Sequence, residues 1–248
     1  MTKQEAINKV LTIASAETGY LEKRSLSNLY DKTANAGSAN YTKYWADMAP
    51  SYQGQPWCAC FVNWCFKHAY GETEAKNLLC TKGAWSYYTP TSAQYFKNMH
   101  QWFTTPQRGD VIFFKNSQRI CHTGIVLEVK NGRVYTIEGN TSGGSTLEAN
   151  GGCVAKKNYP LGYNRIAGYG RPKYSNTPVA VPSNTSDYYP KYTGTSNSIS
   201  DALKSLGIDN SKANRTAIAS KNGIPNYKGT SAQNIQLLTL LKQGKLLK

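Results

Sequence analysis

Residues 122 to 140, HTGIVLEVKNGRVYTIEGN, admit few backbone arrangements. Two alternating runs of β-branched and apolar residues flank Asn131-Gly132, a dipeptide suited to a tight hairpin turn. The segment therefore predicts two antiparallel strands, and facing rules choose between two registers. A two-residue NG loop pairs Val129 with Val134 and puts Ile125, Leu127 and Val129 on one face with Thr136, Glu138 and Asn140. A three-residue KNG loop pairs Val129 with Arg133 and sorts the faces better. Ile125, Leu127 and Val129 then share a side with Tyr135 and Ile137, and His122, Val126, Val134, Glu138 and Asn140 take the other. This second register is the one expected. It places Asn140 opposite His122 and Glu138 diagonal to it, within side-chain reach.

A second stretch, QPWCACFVNWCF at 55 to 66, predicts a helix over 57–69. Cys58, Phe61, Val62, Cys65, Phe66 and Ala69 form one apolar stripe, with Cys60, Asn63 and Lys67 on the other side. Pro56 suits the first turn. Cys58 then stands at the helix N-terminus, where free N–H groups and the helix dipole favour a thiolate. On the helix alone, an activated Cys58 and three inert thiols are both open readings. Zinc held by Cys58, Cys60, Cys65 and His68 is disfavoured, because a CxC pair on a helix points its thiols roughly 200° apart. Of the three histidines, His68 lies about 15 Å along the same helix, and His100 precedes an aromatic stretch. His122 begins a strand. A Cys58 helix packed on the polar face of the hairpin would bring thiol and imidazole together.

Around these segments the chain reads as α+β. The N-terminus carries Ile7, Val10, Leu11 and Ala14 at helical spacing and has the marks of neither a signal peptide nor a membrane span. Strands are predicted at 109–115, 122–129, 133–139 and 164–170. Residues 172–187, PKYSNTPVAVPSNTSD, are expected to be a linker between a domain at 1–171 and a helical module at 188–248. That module predicts helices near 198–206, 211–222 and 231–243, with N-caps at Ser198 and Ser231. Each helix ends at a glycine (Gly207, Gly223, Gly244), the first two followed by isoleucine, which points to left-handed glycine caps.

The net charge of +15 favours polyanions. The cationic residues form no dense block, so nucleic acid is not the expected partner. With no export signal, synthesis and folding in the cytoplasm are expected, with the six cysteines largely free and mostly buried as small hydrophobes.

Taken in order, PWCACFVNWC, GDVIFF, CHTGIVLEV and VYTIEGN resemble the CHAP family, the cysteine, histidine-dependent amidohydrolases/peptidases. The resemblance covers roughly residues 5 to 171 and implies a papain-like fold, helices first and an antiparallel sheet after. It implies Cys58 as nucleophile, His122 as general base, Glu138 as the group orienting the histidine and Asn140 as an assisting polar residue. The domain looks most like those of phage and prophage endolysins, which cleave peptidoglycan as N-acetylmuramoyl-L-alanine amidases or endopeptidases. In such an enzyme the oxyanion would be held by the Cys58 N–H and a second donor, with Tyr52 and Gln53 as candidates. Two departures stand out. Position 60 is a cysteine, and APSYQGQP before the nucleophile lacks the acids with which some relatives bind calcium, so no metal or cofactor is expected. The tail resembles modules attached to such lysins. Its charge of +7 over 173–248 and its tyrosines fit wall polysaccharide or teichoic acid. The protein is then expected to be made in a host cytoplasm and to act on the wall after release. A catalytically dead wall-binding protein of this fold, or a related hydrolase such as a transglutaminase, are the rival readings.

Overall fold

The computed structural model describes residues 2–143, 147–174 and 188–248. The chain divides into two compact units, residues 1–178 and 179–248. Residues 175–187, most of the expected linker, lie outside the described residues.

Helix α1 (Lys3–Ala16) opens the first unit with a capping box, Thr2 and Glu5 each satisfying the other's backbone N–H. It buries the predicted stripe of Ile7, Val10, Leu11 and Ala14, and Ala6 with it. Helices α2 (Lys43–Met48), α3 (Cys58–Tyr70), α4 (Glu72–Leu78) and α5 (Thr89–Asn98) follow. The sheet comprises β1 (Trp102–Phe103), β2 (Val111–Lys115), β3 (Ile120–Lys130), β4 (Arg133–Thr141), β5 (Cys153–Pro160) and β6 (Ile166–Gly170). Its order is β1-β6-β2-β3-β4-β5, with antiparallel neighbours throughout. Strands β1 and β5 were not expected. In β5 the adjacent lysines hide the alternation: Lys156 is exposed, whereas buried Lys157 donates to the Ser142 carbonyl at 3.1 Å.

The hairpin corrects the expected turn. Lys130 pairs with Arg133 and Val129 with Val134 around a two-residue loop, with Asn131 at φ 50° and Gly132 at φ 70°. That is the left-handed pair a tight Asn-Gly turn demands. A bulge between Val126 and Glu128 then absorbs one residue, so Val126 pairs with Thr136 and Ile125 with Ile137. The loop is therefore not KNG. The facing that a KNG loop would give is nonetheless reached from Val126 onward, because the bulge reconciles turn chemistry with burial.

The sheet has two apolar faces. Val111, Phe113, Ile125 and Ile137 join Val10, Phe61 and Cys65 in the main core under the helices. Ile112, Phe114, Val126, Val134, Tyr159 and Tyr169 form a smaller cluster on alternate positions. Each large apolar side chain buried here is worth about 1.5–3 kcal/mol.

In the second unit, α6 (Ile199–Ser205), α7 (Lys212–Lys221) and α8 (Ser231–Gln243) share a core of Ile199, Leu203, Ile218, Leu237, Leu241 and Leu246. Gly207 and Gly223 have φ of 69° and 70°. The following isoleucines fold back, Ile208 N–H donating to Leu203 and Ile224 N–H to Ala219, both at 2.9 Å. Ser198 caps α6 as expected, but α8 is capped by Thr230, one residue before the predicted Ser231, in a capping box with Gln233. Among the described residues no helix is long and apolar enough to cross a membrane.

Candidate active site

Helix α3 begins at Cys58 with Trp57 as its N-cap residue, so Pro56 sits just ahead of the cap rather than in the first turn. Trp57 is fixed by its indole N–H, which donates to Glu22 at 2.9 Å, and by stacking on Tyr44 at 5.3 Å. The start of the helix is thereby held rigidly. Its phase differs from the one-sided stripe expected. Cys60 and Asn63 are buried too, because α3 is packed all round in its first half. Asn63 can be buried because its amide donates to the Ser86 carbonyl at 2.9 Å. Burial first, and neighbouring acidic groups after it, push the Cys60 and Cys65 thiols well above their ordinary values.

His122 is wholly buried at the start of β3. Its Nε2 lies 3.0 Å from Glu138 Oε2 on β4. Glu138 is itself saturated: the Thr136 hydroxyl donates to Oε1 at 2.6 Å and the Tyr159 hydroxyl to Oε2 at 3.2 Å. Burial and the neighbouring Glu138 hold Tyr159 protonated far above the ordinary phenol range, so it stays a donor. Gly124 makes room for the carboxyl, since a Cβ there would lie 2.5 Å from Glu138 Cγ. Nδ1 of His122 is buried and makes no hydrogen bond among the described residues. Burial alone would lower the imidazole, but the Cys58 thiol and the Glu138 carboxyl outweigh it and raise the ring to about 10.

The helix does not achieve this by packing on the polar face, as expected. Its body covers the opposite face, with Gly139 against Phe61, because the larger apolar surface lies there. Only its first residue acts on the imidazole. Asn140 is buried near the end of β4 at φ 57°. The β3–β4 ladder ends at Ile125–Ile137, short of it. Its amide nitrogen donates to Asn150 at 3.2 Å and Ala149 at 3.5 Å, bracing the 149–151 loop, and no hydrogen bond joins Asn140 to His122 among the described residues.

Cys58 opens into a cleft of about 540 Å³ walled by Trp45, Tyr52, Trp85, Tyr87, Tyr88 and Tyr95. Tyr52 is half-exposed there and stacks on Trp45 at 5.5 Å. Gln53 is not in the cleft wall. Both polar atoms of its amide are tied to the Thr42 backbone at 2.8 and 2.9 Å, so the side chain is committed there. His68 stacks on Trp64 at 3.9 Å, and His100 is exposed. Asp110 of GDVIFF is structural: Arg171 grips it through Nε at 3.0 Å and Nη2 at 2.9 Å. Tyr159 and Thr136 were not foreseen as site residues. Thr136, two residues before Glu138 and so on its face, was the detectable one.

A thiol at a helix N-terminus, an imidazole and a hydrogen-bonded buried carboxyl are the groups that cysteine–histidine hydrolases use. The CHAP domain family model matches residues 50–140, a span that holds Cys58, His122 and Glu138, so the chain carries a CHAP domain, which is papain-like, over those residues. Three chains of solved structures also match. One, titled "The crystal structure of Ly7917", is 12% identical with a TM-score of 0.38, and the match covers 67% of this chain and 62% of that one. Comparison with curated proteins gives no match.

Proposed function

We propose that this protein is a peptidoglycan hydrolase of the endolysin type, cleaving an amide bond with Cys58, His122 and Glu138. A CHAP domain suggests amidase-type action on peptidoglycan. The observation that carries the reading is the wholly buried His122 imidazole held by Glu138 at 3.0 Å, with Cys58 close enough to bias its charge. The Cys58 thiol passes its proton to His122, its sulfur attacks the amide carbonyl carbon, and a C–S bond forms as the carbonyl π pair moves onto oxygen. The oxyanion is held by the Cys58 backbone N–H, which has no acceptor within the helix, and by the Tyr52 hydroxyl. His122 gives its proton to the leaving amine as the C–N bond breaks, and water then hydrolyses the thioester, returning the thiol. Residues 188–248 serve as a wall-binding module for anionic wall polymers, and the enzyme acts on the wall after release from a host cell.

The test is release of new amino groups from purified Gram-positive walls. Cys58→Ala lowers the rate at least about 1000-fold, whereas Cys60→Ala leaves most activity per folded molecule, because its thiol is core. Equal loss in both variants would refute the assignment. Mass spectrometry of the products separates amidase from endopeptidase by whether an alanine N-terminus appears.

A further inference from the structure

Among the described residues, the cleft beside Cys58 is lined by one basic side chain, the exposed Arg119, and by no carboxylate. Arg119 ends the turn between β2 and β3, three residues before His122. Its backbone is fixed there. Asn116 Oδ1 accepts from the N–H groups of Gln118 and Arg119 at 2.9 and 2.8 Å, and Asn116 N–H donates to the Arg119 carbonyl at 2.9 Å. The guanidinium lies over the Tyr88 ring, 5.4 Å from its centroid, and spends one donor, Nη1, on the Ile120 carbonyl at 3.1 Å. A guanidinium carries five N–H donors in a planar fork that matches a carboxylate. The cleft is otherwise lined by tyrosines, tryptophans, hydroxyls and thiols, and among the described residues no carboxylate pairs with this exposed guanidinium.

We infer that Arg119 is a specificity residue that binds a free carboxylate of the substrate peptide, in the same bound segment as the scissile amide. The inference rests on the hydrolase reading above and deepens it. The substrate class is an acidic peptide amide, with Tyr88 holding the guanidinium flat and the aromatic wall taking the apolar parts of the chain.

The experiment uses the full chain and solubilised peptidoglycan fragments, either native or with their free carboxyls converted to amides by carbodiimide and ammonia. Amino-group release is followed at low substrate. The wild type is expected to cut native fragments roughly 10- to 100-fold faster than amidated ones, the range of a charge-assisted hydrogen bond. Arg119→Ala loses that factor on native fragments, with KM rising more than kcat falls, and no longer distinguishes the two substrates. Arg119→Lys restores part of the preference, which a merely structural role would not do. A thermal melt confirms that the variants fold. Equal cleavage of both substrates by the wild type, or an undiminished preference in Arg119→Ala, overturns the inference and leaves the hydrolase reading standing. Slower cleavage by Arg119→Ala with no effect of amidation overturns it as well and points to another anion. If the wild type releases no amino groups from either substrate, the hydrolase reading fails, and this inference with it.

Discussion

His122 carries the heaviest electrostatic load of any single residue in the site. Burial opposes a positive ring, yet Cys58 and Glu138 together lift it from 6.5 to about 10. Because the folded value is the higher one, the stability gained from the protonated ring is complete below the unfolded value. It is lost as pH climbs from 6.5 through about 10. The same proton is the one proposed to reach the leaving amine, so activity should fall on the alkaline side near the folded value of about 10. Glu138→Gln removes one of the two groups holding the proton. The alkaline limb of kcat/KM should then move down by about one unit or more. A pH–rate series on soluble fragments checks this, and a limb that stays put would mean that Glu138 does not govern the imidazole. Tyr159 and Thr136 keep the carboxyl oriented. Tyr159 was illegible from sequence because its strand, with lysines at 156 and 157, does not look like one.

At the scale of elements, the β3–β4 hairpin shows what sequence reasoning reached and where it stopped. Facing preferences correctly predicted that Ile125 and Ile137 share a side, since burying charges is costly. The turn was misassigned because a register can be satisfied by a long loop or by a tight loop plus a bulge, and alternation alone does not reveal a bulge at Leu127. The helix that bears Cys58 was legible in extent to within a residue. Its all-round burial was not, because a half-polar helix can be covered where its polar groups find partners, as Asn63 finds Ser86. Two glycines of the hairpin separate fold from site. Gly132 has φ 70° and open space around its missing Cβ, so Gly132→Ala should cost about 1 kcal/mol of stability while sparing activity. Gly124 has ordinary backbone angles, but a Cβ would meet Glu138 Cγ at 2.5 Å and the Ile137 carbonyl at 2.8 Å. Gly124→Ala should therefore displace the carboxyl and cut activity at least about tenfold. Denaturation midpoints and rates measured on both variants make the comparison. Equal activity loss would show that the close fit around Glu138 is not what the chemistry needs.

For the whole molecule, the informative fact is that each unit has its own core. Among the described residues, the apolar clusters of the first unit draw on residues up to Tyr174, and that of the second on residues from Tyr189 to Leu246. Removing residues 188–248 therefore strips no side chain from the clusters around Cys58 and His122. Residues 188–248 carry nearly half of the chain's net charge of +15 in about a quarter of its length. A surface of that kind binds anionic polymers by long-range attraction, which salt screens over a Debye length of about 10 Å at 0.1 M. Chain lacking 188–248 should thus pellet far less with purified walls than the full chain does. On a soluble glycopeptide it should turn over within about threefold of the full chain, since local geometry sets that step. Wall binding by the full chain should weaken steadily between about 0.05 and 0.5 M salt. If the shortened chain pellets as well as the full one, or binding ignores salt, anchoring must come from the first unit, and the tail's charge serves some other end.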